Sequence, residues 1–412
     1  MQGAGHPFRP PLMNQGAARL PPRLIENIQM LNDSPRVAEV FLEGGVLEET
    51  LATIQKDALT YRAMRRVPQD IVERFRKLGV YRALVARQFG GLEVTPMAFL
   101  ELIEAIAVAD ASCGWVASFG VSATYLAALP LTTLETLYAN GPDVVFAGAI
   151  FPPQKVQCTD GGFVVSGRWP YASGCMGASL IGVGIGVEGE AGGLPRTAVM
   201  PASAVTIDET WNTIGLAATG SHDVVVENVF VPEEWTFTRG GAPNLDIPLY
   251  SYPSLGLAAQ VLTVVGLGCA RRALDEVRNM AAHRSITGAP TLGDRPYVQQ
   301  MVGEAEAELG AARALFYAAT HSVWDRLCAG QAASVEDANS VRLAATHAAQ
   351  VAFDVARKCF SMGGIAAVQT DHILGRCLQD CAVVAQHAFM ARGNYEVGGK
   401  VALGRGGRPG YP

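Results

Sequence analysis

Two short stretches place side chains that could do chemistry where a folded chain usually keeps none. His387 lies in Val383-Val384-Ala385-Gln386-His387-Ala388-Phe389, an apolar run with helical spacing and no Gly or Pro. An imidazole there needs a partner or a cavity, because burying an unpaired polar group is costly. It reads either as a satisfied core histidine or as a neutral base that takes a proton from a substrate N–H or O–H. The second stretch, Gly167-Arg168-Trp169-Pro170-Tyr171-Ala172-Ser173-Gly174-Cys175, joins a strand to a turn and carries two aromatics and one hydroxyl. It reads either as a packed β corner, in which Ser173 bonds the backbone, or as a seat where a planar cofactor stacks near Trp169 and meets Ser173.

Other candidates carry less. His283 and Arg284 fall at the end of a helical pattern, where a cation suits the C-terminal dipole, and His372 follows Asp371 at a helix start. Gly182-Val183-Gly184-Ile185-Gly186 lacks the G-x-G-x-x-G spacing and precedes Glu188-Gly189-Glu190 rather than a helix, so it is expected to flatten a strand face rather than bind a dinucleotide. The eight cysteines are dispersed without a C-x-x-C pair, which argues against zinc and against a disulfide framework and suits the cytosol.

The elements that position these residues follow from periodicity. At 412 residues the chain exceeds what one core usually serves, so roughly two or three packed units are expected. Hydrophobic residues make up 49 % and charged residues 17 %, which supplies apolar surface for a core and excludes a disordered scaffold. The formal charge of −6, with Lys and Arg scattered, leaves no basic footprint for nucleic acid. No apolar run reaches ~18 residues uninterrupted, and no signal pattern opens the chain, so no membrane partner is expected. A Pro-rich leader (1–22) gives way to a helical region (23–142), then to period-two patterning with turn signals (143–240). Helical spacing returns over 241–402, with a stripe of Val298, Val302, Ala305, Leu309, Ala312 and Phe316, and a short tail (403–412) follows.

Five segments together resemble the acyl-CoA dehydrogenase fold over about residues 36–402. They are Phe89-Gly90-Gly91, Cys113-Gly114-Trp115, the Gly167 to Gly174 stretch, Trp211 through Gly215 to Thr219-Gly220-Ser221-His222-Asp223 and Val231-Pro232, and Leu378-Gln379-Asp380 leading to Gln386-His387. The likeness is greatest to the two-component flavin-dependent monooxygenases of that fold, such as the oxygenase component of p-hydroxyphenylacetate hydroxylase. It implies a mostly α, α+β architecture: an N-terminal helical domain, a central β-barrel domain and a C-terminal four-helix bundle.

True dehydrogenases of this fold usually carry a Glu where this chain has Gln386-His387-Ala388, although some place it on another helix. The resemblance therefore implies an oxygenase that uses reduced FAD or FMN, O2 as cosubstrate and a C4a-hydroperoxide to oxygenate a small aromatic, with indoles among the candidates. Alternatives in the same fold are an acyl-CoA dehydrogenase or oxidase and an N-oxygenase of an amino sugar; a non-catalytic interaction protein is the alternative of another class. It implies a separate NAD(P)H-flavin reductase and a homotetramer. His387 and Ser173 map onto the catalytic positions, Ser173 bonding flavin N5. Trp169, Ser173, Gly174, Arg284, Gly363 and Gly364 map onto cofactor contacts, with Arg284 at the flavin phosphate, and Trp115 and Tyr125 onto substrate contacts. Members acting on phenols often have a further His shortly after Gly-Trp; Val116 to Leu126 contains none, so indoles, other heterocycles or amino sugars fit better than phenols.

Overall fold

Helix α3 (Pro96–Ala109) sets the architecture, because residues on every side of it are buried, among them Phe99, Leu100, Leu102, Ile103 and Ile106. A helix apolar all round must lie inside the molecule. The structure, a computed structural model, describes residues 41, 45–189, 194–283 and 290–406. Before α3 come α1 (Val46–Met64) and α2 (Gln69–Leu78); after it come α4 (Ala111–Ala117), α5 (Ser122–Leu126) and α6 (Leu131–Tyr138). The C-terminal helices are α7 (Ser254–His283), α8 (Pro296–Cys328), α9 (Val335–Gly363), α10 (Ile373–Gln386) and α11 (Asn394–Ala402).

Helices α7 to α10 pack on one another as a bundle, and α3 lies along α7. The approach is close: a Cβ at Gly268 of α7 would stand 2.6 Å from the Glu104 carbonyl oxygen and 2.8 Å from the Ala107 Cβ. Arg313 of α8 adds an ion pair to Glu104 at 2.7 Å. N-terminal and C-terminal helices consequently share one apolar core. The stripe on α8 runs through Val298, Met301, Ala305, Leu309, Ala312 and Phe316; Val302 is only half-buried, because neighbouring Met301 takes the core-facing place. By length and composition Ser254–Ala282 could cross a membrane, but 78 % of its apolar window is buried inside the molecule.

The strands lie between Phe146 and Thr238. One sheet has the order β1-β4-β5-β8 and the other β2-β3-β7-β6, with β1 Phe146–Lys155, β2 Gln157–Thr159, β3 Gly162–Ala172, β4 Leu180–Gly186, β5 Arg196–Pro201, β6 Thr206–Asp208, β7 His222–Pro232 and β8 Thr236–Thr238. All neighbours are antiparallel except β1 and β4. The expected barrel is therefore replaced by two open sheets around a separate core. Strands β2, β6 and β8 have three residues each, too short to close the edges, and Pro152 and Pro153 take ladder donors out of β1. Gly182 and Gly184 do keep a strand face flat: a Cβ at Gly184 would lie 1.9 Å from the Ile150 carbonyl oxygen.

Candidate active site

Asp110 places the first site residue. It leaves α3 with extended backbone, and its Oδ1 accepts the Cys113 N–H at 3.0 Å, so one carboxylate ends α3 and caps α4. Helix α4 then folds back so tightly that a Cβ at Gly114 would meet the Ala107 Cβ at 2.7 Å. The next residue, Trp115, is buried, and its indole Nε1 donates to Ser173 Oγ at 3.2 Å.

Ser173 reaches that bond through an irregular strand end. Along β3, Trp169 pairs with Val224 but Ala172 with His222, so Pro170 and Tyr171 together oppose Asp223 as a bulge. Tyr171 takes φ 67° and is 69 % exposed, in edge contact with Trp211 at 6.3 Å, whereas Ser173 is 7 % exposed. Ser173 Oγ lies 2.6 Å from Ser221 Oγ, which lies 2.7 Å from Thr219 Oγ1, and Thr219 Oγ1 can donate to the Leu216 carbonyl at 2.9 Å. A hydroxyl holds one hydrogen and two lone pairs, so after Trp115 and Ser221 Ser173 retains capacity for one more partner. Beside it Gly174 at φ 72° opens a narrow cleft lined by Arg66, Val116, Gly174, Met176, Thr219 and Gly220; a Cβ at Gly174 would touch Val116 at 3.4 Å.

Three of the motif segments are tied together here. Gly174 N–H donates to the Thr219 carbonyl at 2.8 Å, Ala218 N–H to Ser112 Oγ at 3.3 Å, and Leu216 N–H to Asp380 Oδ1 at 2.6 Å. Burial, with Asp110 nearby, pushes the Asp380 carboxyl up to about 6. Arg62 bridges Gln379 Oε1 and the Ile214 carbonyl at 2.7 and 2.6 Å. Asp380 and Gln379 thus hold the loop that carries Thr219 and Ser221.

His387 stands across Trp115, ring centroids 5.7 Å apart at 64°. It does not sit inside a helix. Helix α10 stops at Gln386, His387 takes extended backbone, and a single 3-10 turn follows. Its Nδ1 accepts the Phe389 N–H at 3.2 Å. A neutral ring that accepts at Nδ1 carries its hydrogen on Nε2, so its free edge donates. The expected proton-accepting role calls for the other tautomer, which would set an Nδ1–H against the Phe389 N–H, so acting as a base would cost the ring this hydrogen bond. Burial, with Arg239 adding to it, drives the imidazole pKa down to about 4, so the ring is neutral at pH 7.

The ring series continues from His387 to Phe389 (4.9 Å), with the Arg239 guanidinium 5.4 Å from the Phe389 centroid and 4.1 Å above the Tyr125 ring. Ser173, Trp115, His387 and Tyr125 are therefore brought into one neighbourhood. Arg239 and Phe389 were missed; a lone Arg in Thr238-Arg239-Gly240 looks like any strand-end cation, and only the apolar setting of Phe389 was visible.

Trp169 is a correction. Its ring is fully enclosed between the two sheets and its Nε1 donates to the Gly184 carbonyl at 2.8 Å, so neither face is open to a cofactor. Gly363 is filled around by its neighbours, since a Cβ would meet the Ala367 Cβ at 2.5 Å, while Gly364 is exposed at φ 59°. A cavity of about 220 Å³ lies beyond them, lined by Phe360, Ala367, Val368, Gln369 and Gln379 among others. Arg284 lies outside the described residues.

The donor set fits a flavin edge: a buried hydroxyl with a spare bonding position, a glycine-lined cleft and an exposed aromatic at one bend.

Comparison with known proteins narrows the chemistry. The family described as acyl-CoA dehydrogenase, C-terminal domain, matches residues 260–392. Indole-3-acetate monooxygenases of Pseudomonas putida and Acinetobacter baumannii are 52 % and 50 % identical over 84 % of this chain and 90 % of theirs. The oxygenase subunit HsaA, a flavin-dependent monooxygenase of Rhodococcus jostii, is 28 % identical over 83 % of this chain and 93 % of its own. The crystal structure of 3-HSA hydroxylase from Rhodococcus sp. RHA1 superposes with a TM-score of 0.82 at 27 % identity, covering 90 % of this chain and 97 % of that one.

Proposed function

The chain belongs to the flavin-dependent monooxygenases built on the acyl-CoA dehydrogenase fold, and on that premise we propose that it oxygenates a small indole-type aromatic held among Trp115, His387, Phe389 and Tyr125. The observation that carries this reading is the unbroken contact from Ser173 through Trp115 to His387. It links the hydroxyl expected at the flavin with the rings expected at the substrate. The two indole-3-acetate monooxygenases at 52 % and 50 % identity support the indole class.

Reduced flavin, when bound, would supply the two electrons that activate O2, one atom of which passes to the substrate and the other to water. The protein's own residues do the rest. Ser173 holds the N5 edge of the flavin with the bonding position that Trp115 and Ser221 leave free. Gly174, with no side chain over Val116, would let a ring edge approach the backbone beside Ser173. His387 points an Nε2–H at the substrate and, being neutral, adds no charge to the site. The enclosing rings exclude water from the reacting atoms.

Reduced FAD or FMN comes from a separate NAD(P)H-flavin reductase in this reading, which the oxygenase-subunit name of the Rhodococcus relative supports. A homotetramer in the cytosol completes it. Exposed Tyr297, Leu315, Ile365 and Val368 on the bundle support the assembly, and eight free thiols support the compartment. The purified chain with flavin, O2 and indole-3-acetate should oxidise NAD(P)H only when a reductase is added, and should then form an oxygenated indole detectable by mass spectrometry. Product without reductase, or reductase-coupled turnover that yields only hydrogen peroxide with every indole offered, would overturn the proposal.

A further inference from the structure

Arg239 is half-buried at the far end of the ring series. Arg62, Arg82 and Arg271 each reach a carboxylate, whereas, as at half-buried Arg65, Arg272 and Arg376, no described carboxylate stands within 4 Å of the Arg239 guanidinium. Its face is covered by the Tyr125 ring at 4.1 Å, with Phe389 at 5.4 Å. Stacking of this kind occupies the flat face of a guanidinium, and along its N–H edge the Tyr125 hydroxyl interacts with it. On that edge Nε is buried and has no hydrogen-bond partner, a state shared with Arg76, Arg271, Arg272 and Arg376; of these only Arg239 lies over an aromatic ring among the described contacts. A buried donor left unmatched is costly, so a ligand group that can accept from it gains by doing so.

The group that satisfies such an edge best is a carboxylate, which takes Nε–H and a terminal N–H as a parallel pair. Position supports this. Arg239 directly follows β8 and reaches α5 on one side and the turn after His387 on the other, so it closes the end of the ring series opposite Ser173. The chain carries a net charge of −6, which disfavours an anionic ligand unless a local cation receives it.

We propose that Arg239, framed by Tyr125 and Phe389, receives the carboxylate of an aromatic acid and so fixes which end of the substrate faces Trp115 and His387. This rests on the aromatic-substrate reading above and adds to it an acid group and the residue that selects it. A neutral indole can enter the same rings but is not registered along them.

The test compares indole-3-acetate with 3-methylindole, its counterpart without the carboxylate, in wild type, Arg239→Ala and Arg239→Lys, using reductase-supplied reduced flavin. Equilibrium binding of both compounds and of reduced flavin is measured alongside. In Arg239→Ala, kcat/KM and affinity for indole-3-acetate should fall roughly 10- to 100-fold, the range expected for losing hydrogen bonds to a charged group. The loss on 3-methylindole should be at least tenfold smaller, and reduced-flavin affinity should move less than the acid's. Arg239→Lys, which keeps the charge and loses the fork, should lie between. Equal losses on the two compounds, or a loss concentrated in flavin affinity, would overturn the receptor role. A wild type that oxygenates 3-methylindole but neither binds nor oxygenates the acid overturns the receptor alone; one that oxygenates no aromatic compound overturns the substrate reading with it.

Discussion

Two tryptophans divide the molecule's labour. Trp169 sits in the interior between the sheets, its N–H given to the Gly184 carbonyl. Trp115 sits where helices meet the strand end, its N–H given to the Ser173 hydroxyl. Both are buried and both are satisfied, so burial and hydrogen bonding alone do not separate them. The partner does. A backbone carbonyl inside a sheet has no bonding capacity to offer a ligand, whereas a serine hydroxyl at a bend passes its remaining capacity outward. Trp169 therefore holds a strand in place and Trp115 holds a reactive edge in place.

Removing Trp169 should show the largest effect. Trp169→Ala empties the inter-sheet core and orphans the Gly184 carbonyl, and should cost about 3–5 kcal/mol of stability by chemical denaturation. Any loss of product should then follow the folded fraction; a folded Trp169→Ala protein that fails to bind reduced flavin would return Trp169 to the site and erase the contrast.

Ser173→Ala attacks the other side of the comparison. The variant should fold with at most about 1.5 kcal/mol lost, yet form roughly tenfold less product per O2 consumed, the balance being hydrogen peroxide. Wild-type coupling in a peroxide assay would remove Ser173 from the reaction.

His387 sharpens the contrast with a smaller effect. His387→Ala removes the acceptor for the Phe389 N–H, a cap loss of about 1 kcal/mol, together with the Nε2 donor. His387→Asn can keep both an acceptor and an N–H, so it should recover part of the stability and of the product yield. The pH dependence has a definite sign. Because the folded pKa, about 4, lies below the unfolded value near 6.5, the folded state resists protonation, and this contribution to stability falls as pH drops from about 6.5 to 4. That loss should be absent from His387→Asn in acid denaturation curves. The rate on indole should show no His387 titration between pH 6 and 8; a step near pH 6.5 that the Asn variant abolishes would mean that the ring does exchange its proton.

The order of helices and strands was legible in the sequence because periodicity reports which faces are buried, and the return of helical spacing after residue 241 is unambiguous. Ser173 and His387 were legible as polar groups in settings that do not tolerate idle ones. The break of α10 at Gln386 was not, since neither Gly nor Pro marks it; the imidazole itself supplies the cap. Trp169 was misassigned because a strand shows which residues alternate but not where a bulge interrupts them. Arg239 could not be found from sequence, for its meaning lies in the absence of a carboxylate around it, and Tyr125, Phe389 and Arg239 are far apart along the chain.

The bulge at Pro170 and Tyr171 makes strand β3 a counter as well as a support. Two residues stand where the pairing calls for one, so alternation skips a beat: Trp169 and Ala172 both face inward, and Tyr171 faces out. Deleting either residue would restore the rhythm and exchange inside for outside from that point on. This segment should therefore accept many changes of letter and almost no change of length, and related chains of this enzyme family should keep three residues between this tryptophan and the serine even where both neighbours differ.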